Sequence, residues 1–433
     1  MGETSEPPHP RALELATARL WQAIEERQDE LVTLIADLVR IPSLLGDEAA
    51  IQAVVADHLT TSGFATETWE LDESIKSEPN AGDSGVPFAG RPNVAGVLGG
   101  TGDGRSLIVN GHVDVVSPEP VAAWSHDPWG AEIVGDRMYG RGAYDMKSGV
   151  GLNLWLPRLL QDLGLHLRGD LIIHSVIEEE CTGNGALAAS LRHHAAAAVV
   201  TEPTGGSLTS AHVGVLWFRI GIEGVSWHAM QAYRGVNAIT HAVPVIQALQ
   251  ALDRRLNEQP PHPAFADIEH PINLNIGVIQ GGDWPSTVPG ACELHCRLAV
   301  YPGQSVADAH HTIEAAVAEA AAQNDWLREH PPAISYDGFQ SAGSEVALDA
   351  PSIRCLGQWH QRVAGSPMQS RIGTGINDMR YYNFAGVPAG CYGADGGNAH
   401  GADEWLDLTS LVPTAKVLGA FILDWCGVAD NKG

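Results

Sequence analysis

The chain has 433 residues, with 52 acidic against 25 basic side chains and a formal net charge of −27. Such a field repels phosphate backbones and anionic membrane surfaces, which argues against nucleic acid and membrane as partners. Most of the acidic residues read as solvated surface. Hydrophobic residues make up 44% and aromatics 6%, enough for sizeable cores without disorder, and the length points to one large and one smaller domain. The six cysteines are scattered, with no CxxC pair to suggest a zinc ribbon or redox motif, and read as buried thiols. Residues 1–11 are polar and proline-bearing, and no apolar run approaches the roughly 18 residues needed to span a bilayer. The expectation is a reducing cytoplasm.

Residues 12–40 carry apolar side chains at helical spacing (Leu31, Leu34, Ile35, Leu38) up to Ile41-Pro42, which predicts one amphipathic helix. A second helix is expected over 47–61. From 93 to 116 the pattern changes to short β-rich runs, and 106–113 reads as a buried strand ending in polar residues. The glycine-rich stretch 99–104 predicts a hairpin turn, because no Lys-Ser/Thr and no helix follow it as a phosphate loop requires. A helix (147–163), a strand (170–177), a helix (186–193) and a strand (197–201) then alternate, the pattern of a largely parallel α/β sheet. In such sheets, sites gather at strand C-terminal ends.

From about Ser210 the rhythm becomes strand (213–223), helix (236–256), strands (272–280 and 291–300), helix (305–322) and strand (333–336). That βαββαβ order predicts a compact, ferredoxin-like α+β insert. α/β character returns after about Asp337 and runs to a final helix over 408–425. The expected organisation is a catalytic domain in two parts, 1–210 and 338–433, split by an insert over 211–337.

Five places put metal-ligand residue types after strand-like runs. In Asn110-Gly-His112-Val-Asp114, residues two apart on a strand point the same way, so Asp114 can sit behind His112 and hold its free ring nitrogen. A glycine-rich strand exit places Asp145 just before a helix, where an N-cap would also explain it. Glu178-Glu179-Glu180 ends an apolar strand; an exposed loop would account for the run, but on an interior strand its mutual repulsion calls for cations. Thr201-Glu202-Pro203 repeats the design, with a turn before proline as the plain alternative. Asn398-Ala-His400-Gly-Ala-Asp403-Glu404 lies in a glycine-rich loop near the C-terminus. Together these supply a complete two-metal site. Cys292 and Cys296, four apart on a strand, read as core.

In this order and spacing, GHVDVV, GRGAYDMKSG, EEECTGNGA, TEP and NAHGADEW resemble the zinc-dependent family that includes acetylornithine deacetylase, succinyl-diaminopimelate desuccinylase, aminoacylase and glutamate carboxypeptidase. The likeness covers most of the chain. It implies a zinc-exopeptidase-like catalytic domain and a dimerisation role for the insert. It implies one metal on His112, Asp145 and Glu202 and a second on Asp145, Glu180 and His400. Glu179 then looks like the general base and Asp114 like the partner of His112. His228 is similar to the histidine that reaches the partner subunit's site, and Arg297 to the arginine that meets a substrate carboxylate, although a surface ion pair would also explain Arg297. Ser286 stands where relatives usually carry asparagine, and Glu178 where aspartate is usual. Mixed carboxylate and imidazole donors suit zinc, with cobalt or manganese also fitting. The implied activity is hydrolysis of the amide bond in an N-acyl amino acid or a related small N-acylated amine by a homodimer. The alternatives are a dipeptidase or carboxypeptidase on the same scaffold, and a non-catalytic metal-binding scaffold, against which the intact ligand set argues.

Overall fold

The computed structural model describes residues 10–429, so the polar stretch before Pro10 lies outside the described residues. The apolar spacing at the start of the chain forms two helices, Pro10–Glu26 and Gln28–Val39, where one was expected. Arg27 interrupts them at φ −119° and ψ 17°. Its guanidinium pairs locally with Glu30 at 2.8 Å and across the fold with Asp162 at 2.9 Å, the latter a tertiary contact that periodicity cannot show. Leu31, Ile35 and Leu38 are buried as their spacing requires.

The main sheet runs, in spatial order, Ala65–Glu70, Pro92–Leu98, Leu171–Val176, Leu107–His112, Ala197–Val200, Ala389–Cys391, Leu208–His212 and Ser344–Glu345, with Ser370–Gly373 also paired to Leu208–His212. The strands from Leu171–Val176 to Ala389–Cys391 pair in parallel. The first three strands pair antiparallel to one another, and so do Ala389–Cys391 and Leu208–His212. The sheet is therefore mixed, parallel at its centre and not throughout. Helical crossovers align the central strands; the outer ones arrive by other routes. The stretch Gly99–Gly104 is not a hairpin, because the strands it joins lie on opposite sides of Leu171–Val176. Gly100 N–H instead donates to Asp170 Oδ1 at 2.8 Å.

Leu107–His112 and Leu171–Val176 are buried along their whole length, as strands covered on both faces must be. The closing helix, Leu411–Cys426, packs with this core. Together with the preceding turn it forms a window, Leu408–Cys426, of mean hydropathy 1.2, long and apolar enough by composition to cross a membrane, and 61% of it is buried inside the fold. The helix expected over 408–425 is thus present as a core helix.

The insert is a four-stranded antiparallel sheet in the order Leu274–Gly281, Ala291–Val300, Gly214–Glu223, Ala333–Ser341. Its two central strands, Ala291–Val300 and Gly214–Glu223, alternate buried and partly exposed residues over most of their length. Phe218, Ile220, Cys292, Leu294, Cys296 and Leu298 join the helices Ala238–Glu258 and Val306–Ala322 in a second core, so both cysteines are core residues. The opposite face carries Trp217, Arg219, His295 and Arg297 and lines a cleft of about 610 Å³ whose other wall includes Leu45, Asp83 and Cys181. Asp83 and Gly338 exchange backbone hydrogen bonds of 3.1 and 2.7 Å across the junction.

Candidate metal centre

Adjacent central strands deliver their C-terminal ends to one place. His112 closes Leu107–His112, and its Nδ1–H donates to the backbone carbonyl of Asp114 at 2.9 Å. That bond turns Nε2 toward the carboxylates: Asp145 Oδ1 at 3.3 Å, Glu202 Oε1 at 3.7 Å and Glu179 Oε2 at 4.0 Å. Nε2 is buried and, among the described residues, has no hydrogen-bond partner. The expected carboxylate contact behind the ring differs, since Asp114 Oδ1 stands 3.7 Å from Nδ1. The Asp114 carboxylate accepts instead from Glu179 N–H at 3.1 Å and Glu180 N–H at 3.0 Å, tying two strand ends together. The strand ends after His112, so strand alternation no longer governs where Asp114 points.

Asp145 does not cap the helix Ser148–Asp162, which starts without a side-chain cap. Its loop is set by Glu404, a buried residue whose carboxylate accepts from Gly142 N–H at 3.0 Å, Tyr144 N–H at 3.0 Å and Asp145 N–H at 2.9 Å. Arg141 pairs with Glu404 at 2.6 Å, and Gly142 takes the left-handed φ of 79° that the turn needs. On the far side, His400 Nε2 lies 3.5 Å from Asp145 Oδ2 and 3.0 Å from Glu180 Oε2. Two donor groups result, His112–Asp145–Glu202 and Asp145–Glu180–His400, each with its atoms within 4.8 Å of one another and with Asp145 common to both.

The run Glu178-Glu179-Glu180 is not an exposed loop. Glu178, at φ 64°, is buried and accepts from Arg91 at 2.7 Å, Thr182 Oγ1 at 2.7 Å and Ser84 Oγ at 2.9 Å. Arg91 also forks onto Glu48 at 2.6 and 2.8 Å. Glu179 is buried, and its Oε1 has no hydrogen-bond partner. Glu404 stood inside a motif without a role of its own, whereas Arg91, Asp378 and Arg380 carried no sequence signal.

Burial and charge crowding together perturb the groups that face one another in these donor sets. Burial alone would lower the pKa of His112, but Asp145, Glu202, Asp114 and Glu179 outweigh it and hold the imidazole well above its ordinary value. Hydrogen bonds to Asp145 and Glu180 push His400 up to about 10. Burial raises Glu179 well above the usual carboxylate range, with Asp378, Glu202 and Glu180 adding to it. Burial and Asp145 do the same to Glu202. Asp145 moves the other way: burial is outweighed by the facing imidazoles of His112 and His400. Carboxylates this close call for positive charge, and an unpartnered Nε2 facing them is the donor that a divalent cation requires.

Two candidate residues lie outside these donor groups. His228 is exposed on the insert, where its Nδ1 accepts from Met230 N–H at 3.0 Å beside the Ser286 backbone. Arg297 lines the cleft and donates to the Thr374 carbonyl at 3.1 Å, and burial lowers its pKa.

A family model described as peptidase family M20/M25/M40 matches residues 108–424. The chain belongs to this family. It thereby joins hydrolases of amide carbon–nitrogen bonds. Among M20 relatives, the N-formyl-4-amino-5-aminomethyl-2-methylpyrimidine deformylase of Bacillus subtilis (strain 168) is 30% identical, covering 94% of this chain and 97% of its own. Acetylornithine deacetylase of Edwardsiella ictaluri (strain 93-146) is also 30% identical, over 91% and 97%. The crystal structure of human carnosine dipeptidase 1 superposes with a TM-score of 0.72 at 15% identity, covering 97% of this chain and 100% of that one, which is a likeness of fold.

Proposed function

We propose that this protein is a cytoplasmic, homodimeric two-metal amidohydrolase that removes the acyl group from an N-acyl amino acid or a related small N-acylated amine. The observation that carries the reading is the pair of three-donor groups sharing Asp145, with the Glu179 carboxylate beside them. His112, Asp145 and Glu202 would hold one cation and Asp145, Glu180 and His400 the other, and zinc suits this donor mixture best. When bound, such a pair acidifies water and polarises an amide carbonyl. Glu179 takes the water proton and returns it to the leaving amine. Asp114 aims that base by accepting the backbone N–H groups of Glu179 and Glu180. Arg297, which no carboxylate pairs with among the described residues, meets a substrate carboxylate in the cleft.

His228 of the partner subunit would donate to the developing oxyanion, a contribution of about 3–4 kcal/mol. The insert supports a dimer: Trp227, Met230, Tyr233 and Trp284 are exposed on it, and Val278 and Ile279 are exposed on its edge strand Leu274–Gly281. Unpaired edges and large exposed apolar side chains mark association surfaces. All six cysteines are free thiols, in keeping with a reducing compartment. The relatives that act on N-formyl and N-acetyl groups point to a small acyl group. A dipeptidase is the second reading, favoured by a cleft of about 610 Å³ with room for a further residue.

The test is metal-supplemented turnover of a panel of N-formyl, N-acetyl and N-succinyl amines and amino acids alongside dipeptides, read as free amine released. Small N-acyl compounds should turn over fastest. Turnover of dipeptides alone would move the conclusion to the second reading, and turnover of none would overturn both.

A further inference from the structure

Arg380, on the short helix Met379–Phe384, is fully buried. Its Nη1 donates to Asn377 O at 2.6 Å, and its Nη2 donates to Thr182 O and Tyr381 Oη, both at 3.1 Å. The guanidinium lies over the Tyr381 ring at 4.3 Å. Gly183 makes room for it, since a Cβ there would come within 1.9 Å of Nη2. A cation buried this deeply is expensive without a carboxylate partner. Two carboxylates face Nη1: Glu179 Oε1 at 4.0 Å and Asp378 Oδ1 at 3.9 Å. Both oxygens are buried and, among the described residues, lack any hydrogen-bond partner.

Asp378 is anchored from behind. Its Oδ2 accepts from Asn110 Nδ2 at 3.3 Å, and Asn110 Oδ1 in turn accepts from Tyr382 at 2.9 Å. Glu179 has no such anchor for its side chain, while its Oε2 looks toward His112 Nε2 at 4.0 Å. We propose that Arg380 is a positioning residue for Glu179, holding Oε1 so that Oε2 faces the two metal-ligand groups. The inference rests on the reading of Glu179 as the general base. The 4.0 Å gap exceeds a hydrogen bond. Contacts of this kind commonly tighten once a site is loaded. Aim matters because a displacement of about 1 Å at a reacting group costs on the order of 100-fold in rate.

Arg380→Lys keeps the charge and removes the fork. In metal-loaded protein, on the fastest member of the N-acyl panel, it should lower kcat about 10- to 100-fold with KM changed less than about threefold. In a Glu179→Gln background the same substitution should cost nothing further, because the group it aims is gone. Crystal structures of zinc-soaked wild type and Arg380→Lys give a readout independent of turnover. Nη1 should lie within hydrogen-bond distance of Oε1 in the former, and the Glu179 carboxylate should be rotated or disordered in the latter. Should Arg380→Lys fail to fold, Tyr381→Phe removes the hydroxyl that accepts from Nη2 and should show the same pattern with about a three- to tenfold loss. Undiminished kcat, an equal loss in both backgrounds, or an unmoved Glu179 carboxylate would overturn the proposal. A Glu179→Gln variant that keeps wild-type kcat would instead remove Glu179 as the base and leave the crystallographic comparison to judge Arg380.

Discussion

Arg91→Met isolates the buried charges behind the catalytic turn. Arg91 makes three short bonds to two buried carboxylates, Glu48 at 2.6 and 2.8 Å and Glu178 at 2.7 Å. After its removal Glu178 still accepts from Ser84 and Thr182. Glu48 keeps the Gly46 N–H at 3.0 Å and, among the described residues, no other donor from outside its own helix turn. Burial already raises the pKa of Glu48 against the pull of Arg91, so without Arg91 it must take up a proton to remain folded. The unfolded chain releases that proton near pH 4.3, so the folded pKa is raised and stability falls as pH rises above that point. Each pH unit in that window costs about 1.4 kcal/mol, so the penalty at pH 8 exceeds the penalty at pH 5.5 by up to about 3.4 kcal/mol. The whole penalty should approach the roughly 3–5 kcal/mol seen when one member of a buried ion pair is deleted. Urea unfolding of wild type and variant at both pH values measures the difference. Adding Glu48→Gln to the variant should abolish its pH dependence. A penalty under about 1 kcal/mol at pH 8, or one equal at the two pH values, would refute the reasoning.

Elemental analysis of metallated protein should find two divalent ions per chain, and a stoichiometry that never exceeds one would end the shared-Asp145 scheme. Glu179→Gln should retain its metal while kcat falls about 10²- to 10⁴-fold, and near-normal turnover across pH would show that another group takes the proton. Mixing His228→Ala with Glu179→Gln subunits should restore activity toward half that of wild type per dimer, because each heterodimer holds one site with neither lesion. Absence of recovery after exchange has been shown by tag co-purification would mean that His228 does not act across the interface.

Local sequence patterns carried a good deal of this protein. Two-residue alternation over Ala291–Val300 places Cys292, Leu294, Cys296 and Leu298 in the insert's core without any tertiary information. The βαββαβ order was legible because its helices are long and amphipathic and its strands alternate. Runs that end in His112, Glu178–Glu180 and Glu202 announced ligand chemistry, since interior strands rarely finish on clustered carboxylates and imidazole unless something binds them. The structure brings His112, Asp145, Glu179, Glu180, Glu202 and His400 to one place.

Tertiary structure decided what depends on partners far away in the chain. The mixed character of the main sheet follows from which strands meet, and Ala389–Cys391 enters beside Ala197–Val200 from nearly two hundred residues downstream. A strand of three residues carries too little periodicity to announce itself. Asp114 proved to hold His112 through its backbone carbonyl, a matter of side-chain direction beyond a strand end. Of the groups that support the site, Arg91 under Glu178 and Arg380 beside Glu179 are single charged residues in unremarkable local sequence, and Glu404, although inside the NAHGADEW motif, meets the Asp145 backbone only through the fold. Residue types at strand ends therefore announced a cation-binding cluster, because metal-ligand side chains and strand periods are local properties, and the ordered motifs carried the resemblance that implied its hydrolytic chemistry. Its aim and its electrostatic support were settled only on folding, because a buried charge is stable solely beside a partner, and that partner can come from anywhere in the sequence.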